Sequence, residues 1–274
     1  MTSRQIRLQA GETTAAVDPA AGGRLTSLVI GGQEIVVQHG SDTFHWGSFP
    51  MAPWVGRLRH GRLDVDGRTV QLPVNAGPHA LHGLVTEQTW TVTRADEHSA
   101  ELYVELGHGE DPWPWPCRVQ QSVSLAEDRL DFRLSVTSEQ PMPADIGWHP
   151  WFLRDLTTAT GTVSAQLDVC SAQIYLNDAD GIPNGELGDA PPPPWDFCFV
   201  GLTRPPAVRW PGLLELTVDS DCDHWVLYDR EPAGLCVEPW TGPPNSLNWP
   251  RANIVTPDDP LEATMLWSWR NLGS

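Results

Sequence analysis

The 274-residue sequence contains no lysine: all 17 basic side chains are arginine, set against 35 acidic ones for a formal charge of −18. A field of that sign repels phosphate backbones and anionic bilayers, so no nucleic acid and no membrane surface is expected as a partner. Cysteine is scarce as well. Cys117, Cys170, Cys198, Cys222 and Cys236 are odd in number, widely spaced and without a CxxC pair, which argues against a disulfide framework. Long apolar runs are missing: nothing approaches 18 consecutive apolar residues, and the opening MTSRQIRLQAGETTAAV has no signal-like hydrophobic segment. A cytoplasmic protein is the expectation. Nor is there a GxSxG, GxGxxG, GxxxxGK[ST] or HExxH sequence, which leaves no support for a serine-hydrolase elbow, a nucleotide loop or a zinc-protease helix.

What the chain has in abundance is 14 tryptophans, 26 prolines and 24 glycines. Frequent proline and glycine cut a chain into short segments, which suits strands and turns. Tryptophan in this number fills a sandwich core or builds apolar platforms on which sugar rings stack. The clearest periodic stretch, residues 118–138, alternates Val123 and Leu125, then Leu130, Phe132, Leu134 and Val136 after a polar break, and predicts a β-hairpin. Residues 102–106 and 214–218 alternate in the same way, and residues 12–37 suggest a meander with glycine turns. No window of 12 or more residues holds a 3.6-residue period. The reading is an all-β fold, a large antiparallel β-sandwich formed as one domain over residues 1–274. Segments 39–62, 73–88, 139–155, 175–200 and 229–251 read as long irregular connections, and APPPPWDF at 190–197 as a stiff surface loop.

Those connections hold the residues able to do chemistry. In GWHPWF, Pro150 biases the backbone of His149 towards extended geometry and so directs its imidazole. The ring is either a satisfied core histidine or a general acid or base. In CVEPW, Glu238 follows two apolar residues; buried beside tryptophan, its carboxyl rises towards the range of a base working near neutrality. His149 and Glu238 thus make a candidate proton-transfer pair, expected to rest as imidazolium and carboxylate held by mutual attraction. Arg57, Arg59 and Arg62 gather about a glycine turn, as a fork for sugar hydroxyls or a phosphate, or as an ordinary charged hairpin. His79 and His82, three apart, would face opposite sides of a strand, and Cys222 with His224 are only two ligands, so no metal is expected.

In order along the chain, GRLRHG (56–61), LHG (81–83), HPWF (149–152), IPNGEL (182–187), WDFCF (195–199) and VEPWTGPPNSLN (237–248) resemble the aldose 1-epimerase (galactose mutarotase) family. The resemblance implies an antiparallel supersandwich, no cofactor, and anomer interconversion of a small sugar. It makes His149 the acid that protonates the ring oxygen, Glu238 the base at the anomeric hydroxyl, and Arg57, His82 and Asp196 substrate-binding residues. Asp189, Asp221 and Asp223 are alternative carboxylates for the last place. Gly56, Trp151, Trp240 and Asn245-Ser246 depart from the family's usual Asn, Tyr, Gln and Asp-Ala, changing the pocket wall without removing acid or base. A hexose-phosphate mutarotase and a non-catalytic carbohydrate-binding sandwich are the alternatives.

Overall fold

The computed structural model describes residues 5–159, 161–170 and 173–273. The ends of the expected domain, residues 1–4 and 274, lie outside that description. Two large antiparallel sheets dominate it, and helical structure among the described residues amounts to three 3₁₀ turns of three residues each. No helix there is long and apolar enough to cross a membrane.

The smaller sheet has eight strands in the order Thr91–Ala95, Ser99–Leu106, Cys117–Leu125, Arg129–Ser138, Leu261–Asn271, Leu214–Ser220, Ala207–Trp210 and Gln166–Asp168. Cys117–Leu125 and Arg129–Ser138 bury every second residue and leave those between exposed or half-exposed, because one face meets the core and the other meets water. The expected hairpin is its middle, with Val123 opposite Phe132 and Leu125 opposite Leu130.

The larger sheet has eleven strands. Its centre runs Arg24–Ile30, Ser48–Met51, Gly147–Leu153, Gly234–Trp240, His224–Tyr228 and Asp196–Val200. Three segments expected to be irregular, 139–155, 175–200 and 229–251, therefore supply central strands, as does part of 39–62. Gly147–Leu153 is buried at six of its seven positions and Gly234–Trp240 at all seven, so neither shows the alternation that marks a half-exposed strand.

Both faces of these strands are covered by different material. Trp148, Phe152, Leu235, Val237, Trp225 and Leu227 point between the sheets into the main core, where Phe152 and Trp267 meet with ring centres 4.8 Å apart. The intervening residues, Trp151, Cys236, Trp240 and Val226, form a second cluster with Phe49, Met51 and Cys198 on the other side. One polar chain runs through this core: the Trp148 indole donates to Gln121 (3.0 Å), whose amide donates to the Gly23 carbonyl (2.7 Å). The second face carries the site.

Candidate active site

Strand register builds this site row by row. Gly147 lies opposite Trp240 and Trp151 opposite Cys236, which brackets His149 against Glu238 on the neighbouring strand. Phe49 pairs with His149 on one side and Val226 with Glu238 on the other. Since alternate residues share a face, His149 and Trp151 project together, and so do Cys236, Glu238 and Trp240. The imidazole Nε2 of His149 stands 3.5 Å from Oε1 of Glu238, and both residues are buried. Ring stacking fixes the imidazole plane: Phe49 lies on one neighbour position at 4.8 Å and Trp151 on another at 5.5 Å, both nearly parallel to it. Arg24 caps this stack, its guanidinium 4.5 Å from the Phe49 ring centre and 4.2 Å from that of Trp46. It also donates to the carbonyls of Thr43 (2.7 Å) and Trp46, holding the segment that carries Phe44 and His45.

Above this row lies a cavity of about 250 Å³, lined by His149, Glu238, Arg57, His82, Asp196 and a wall of Phe44, Trp151, Phe197, Tyr228 and Trp240. That is smaller than the roughly 300–1,000 Å³ typical of drug-sized ligands and suits a small polar molecule with apolar faces. Arg57 and His82 arrive from a separate two-stranded ribbon, Arg57–Leu58 paired with Ala80–Leu81, and the residue that follows it. His82 has a left-handed backbone (φ 59°) and donates its N–H to the Gly56 carbonyl at 3.0 Å. Gly83 follows with φ 76°, and a Cβ there would lie 2.0 Å from the Ala52 carbonyl oxygen, so Leu-His-Gly needs its glycine for a close backbone crossing. Asp145, fully buried beneath the loop after Glu238, accepts from Thr241 (2.9 Å), Asn253 (2.8 Å) and Ser246 and so anchors that loop.

Burial governs the electrostatics. It pulls the His82 imidazole down to about 3, with the nearby charges of Arg57 and His45 adding to the effect, so this ring is a neutral hydrogen-bonding group. Burial likewise lowers His149, helped by His82, His45 and Arg24. It raises Glu238, as does Asp196, while Trp240 and Arg57 work in the opposite sense. The expected resting imidazolium and carboxylate are thereby corrected: in this enclosed setting the neutral pair is favoured over the charged one. Either way the pair holds a single proton. Among the cavity-lining side chains, His82 Nδ1, His149 Nδ1, Trp240 Nε1 and Glu238 Oε2 are buried and without hydrogen-bond partners. Orphaned polar atoms of this kind cost folding free energy, and a polar ligand relieves it.

The profile of the aldose 1-epimerase family matches residues 4–248. The chain belongs to the aldose 1-epimerase family. Among solved structures it is similar to a putative aldose 1-epimerase from Escherichia coli K12 (TM-score 0.82, 18% identity, covering 98% of this chain and 99% of that one). It is also similar to a GalM/aldose epimerase homologue from Caenorhabditis elegans (0.83, 15%, 99% and 100%) and to galactose 1-epimerase from Lactobacillus acidophilus NCFM (0.79, 16%, 98% and 95%). At these identities the likeness establishes the shared fold. No curated protein matches the sequence.

All five site residues expected of an aldose 1-epimerase, His149, Glu238, Arg57, His82 and Asp196, line the one cavity. Of the four candidate aspartates only Asp196 does so; Asp221 instead accepts from the Thr264 amide at 2.7 Å. The three arginines part company. Arg59 is tied to Asp178 and Asp180, and Arg62 to Asp64 at 3.0 Å, whereas Arg57 faces the cavity with no ion pair among the described residues. His79 turns away from the site and accepts from the His60 amide at 3.2 Å. Sequence reasoning missed Phe44, His45, Phe197 and Tyr228, whose only signal was aromatic character beside a glycine- or proline-rich turn. It also missed Cys236, whose sulfur lies within 4.8 Å of donor atoms of both His149 and Glu238.

Proposed function

We propose that this family member is itself an active aldose 1-epimerase that interconverts the α and β anomers of a free aldose, with His149 and Glu238 as its acid/base pair. The observation that carries the reading is an imidazole and a carboxyl 3.5 Å apart, both buried and both lining a small, aromatic-walled cavity. Anomer exchange needs one proton given to the ring oxygen as the C1–O5 bond breaks and one taken from the C1 hydroxyl, after which rotation about C1–C2 and reclosure reverse both transfers. His149 gives the first and Glu238 takes the second. The unpartnered Oε2 of Glu238 is an acceptor awaiting that hydroxyl. Sugar hydroxyls donating to it, together with Arg57, stabilise the carboxylate and so move the pair's proton onto His149 when substrate binds. Neutral His82, Arg57 and Asp196 orient the hydroxyls, and Trp151, Tyr228 and Trp240 offer faces to the C–H side of the ring.

The substrate is unphosphorylated in this reading. A phosphate cradle would draw on all three arginines, and two of them are neutralised by aspartates. A purely binding module has no use for a buried proton-transfer pair, which favours catalysis over the carbohydrate-binding alternative. Exchange between anomers, followed by NMR over a panel of free aldoses, tests the assignment. Glu238→Gln is expected to lower kcat by ~10²–10⁴ while leaving the binding constant for the sugar within a few-fold. Unchanged exchange in that variant refutes Glu238 as the base, and no exchange of any aldose by the wild-type protein refutes the activity.

A further inference from the structure

We infer that His149, Cys236 and Glu238 form a binding site for a thiophilic divalent cation of the Zn²⁺ class, which shuts off the acid/base pair by ligating it. The binding stands on the geometry alone; only its effect on turnover rests on the function proposed above.

Imidazole nitrogen, thiol sulfur and carboxylate oxygen all lie within 4.8 Å of one another, on two hydrogen-bonded strands at the centre of a sheet. The 3.5 Å between His149 Nε2 and Glu238 Oε1 exceeds the ~2.7–2.9 Å of a charge-assisted hydrogen bond. It fits a coordination edge better: donors ~2.0–2.3 Å from a tetrahedral zinc lie about 3.3–3.6 Å apart. Closing the sulfur onto the same centre takes a shift of about an ångström. Glu238 Oε2 is buried without a partner, so the carboxylate has an unused lone pair inside the cluster.

Ligand chemistry selects the ion. A thiolate with imidazole and one carboxylate favours Zn²⁺ or Co²⁺ over Mg²⁺ and Ca²⁺. Charge balances too, which matters in an enclosed site. Binding releases the thiol proton and the proton shared by the pair, and the resulting thiolate and carboxylate neutralise a dication. His149 and Glu238 line the cavity and Cys236, fully buried, does not, so an ion held by all three sits at the cavity wall, next to the substrate space. An ion there removes both the proton and the free carboxylate oxygen.

Co²⁺ serves as the optical probe, added to the full chain in a thiol-free buffer. The expected result is a near-ultraviolet thiolate-to-Co²⁺ charge-transfer band, displaced by Zn²⁺, absent in Cys236→Ser and retained in Cys170→Ser. Cys170 is the control because it is the one free cysteine that is not buried. Glu238→Gln, which does not touch the thiol, lowers Co²⁺ affinity at least about tenfold, and this arm stands even if the serine variant fails to fold. In the anomer-exchange assay Zn²⁺ inhibits, chelation restores the rate, and Cys236→Ser raises the inhibitory concentration at least about tenfold. A featureless Co²⁺ spectrum, or a band that survives in Cys236→Ser, overturns the site. A wild-type protein that shows the band and exchanges no sugar overturns the function and leaves the site standing.

Discussion

His82 carries an unusual load for one residue: a left-handed backbone, an amide hydrogen bond to the Gly56 carbonyl and a ring set edge-on to His149 at 4.9 Å between centres. Its ring is held to about 3 in the folded chain against an ordinary 6.5. Between those values the unfolded chain binds a proton that the folded chain refuses, so stability rises with pH through the window and falls as acid is added. Urea unfolding midpoints are therefore expected to drop as pH is lowered from 6.5 to 4, this one group contributing up to ~1.4 kcal/mol per pH unit. His82→Gln flattens the slope; an unaltered slope in that variant refutes the assignment. At this scale much of the candidate site was legible. His149 and Glu238 stood out only in part by their proline and tryptophan neighbours, which suit a core ring and a solvated carboxylate equally well; the order of the motifs along the chain singled them out. Their charge state was not legible, because desolvation depends on how completely a fold encloses a group, and a motif says nothing about enclosure.

Elements bring the two strand partners of the pair into register, and Trp240 is the piece that joins sheet to loop. A Cβ at Gly56 would lie 2.8 Å from its Cζ3, and one at Gly147 would lie 2.7 Å from its Cδ1, so two glycines make the space the indole fills. Gly56 also has φ 58°, where any other residue is strained. Gly56→Ala is expected to cost ~1–2 kcal/mol for the backbone alone and more for the displaced ring. In a double-mutant cycle with Trp240→Ala the two changes should couple by ~0.5–3 kcal/mol, and strict additivity refutes the contact as a determinant. The same scale explains which strands were readable. Cys117–Leu125 and Arg129–Ser138 expose one face and alternate; Gly147–Leu153 and Gly234–Trp240 expose neither, carry prolines, and read as loops. Proline did not break them: Pro150 stays in register with Ser48, and Pro239 with Trp225.

For the whole molecule, the all-β sandwich followed from the pattern of short strands, and the family followed from the order of six motifs along the chain. What neither supplied was the unequal duty of the two sheets. The eight-stranded sheet meets solvent with its outer face, while the eleven-stranded one has a second, aromatic-rich cluster there. Stability and chemistry can then be perturbed separately. Phe152→Ala, in the core between the sheets, is expected to lower unfolding free energy by ~3–5 kcal/mol, with the exchange rate per folded molecule nearly unchanged. A loss of rate out of proportion to the folded fraction contradicts that separation. Along Gly147–Leu153 and Gly234–Trp240, neighbouring positions thus answer to different demands, one to cohesion and the next to whatever sits in the cavity. New preferences for ligand size or shape can arise at every second residue while the residues between keep the scaffold intact.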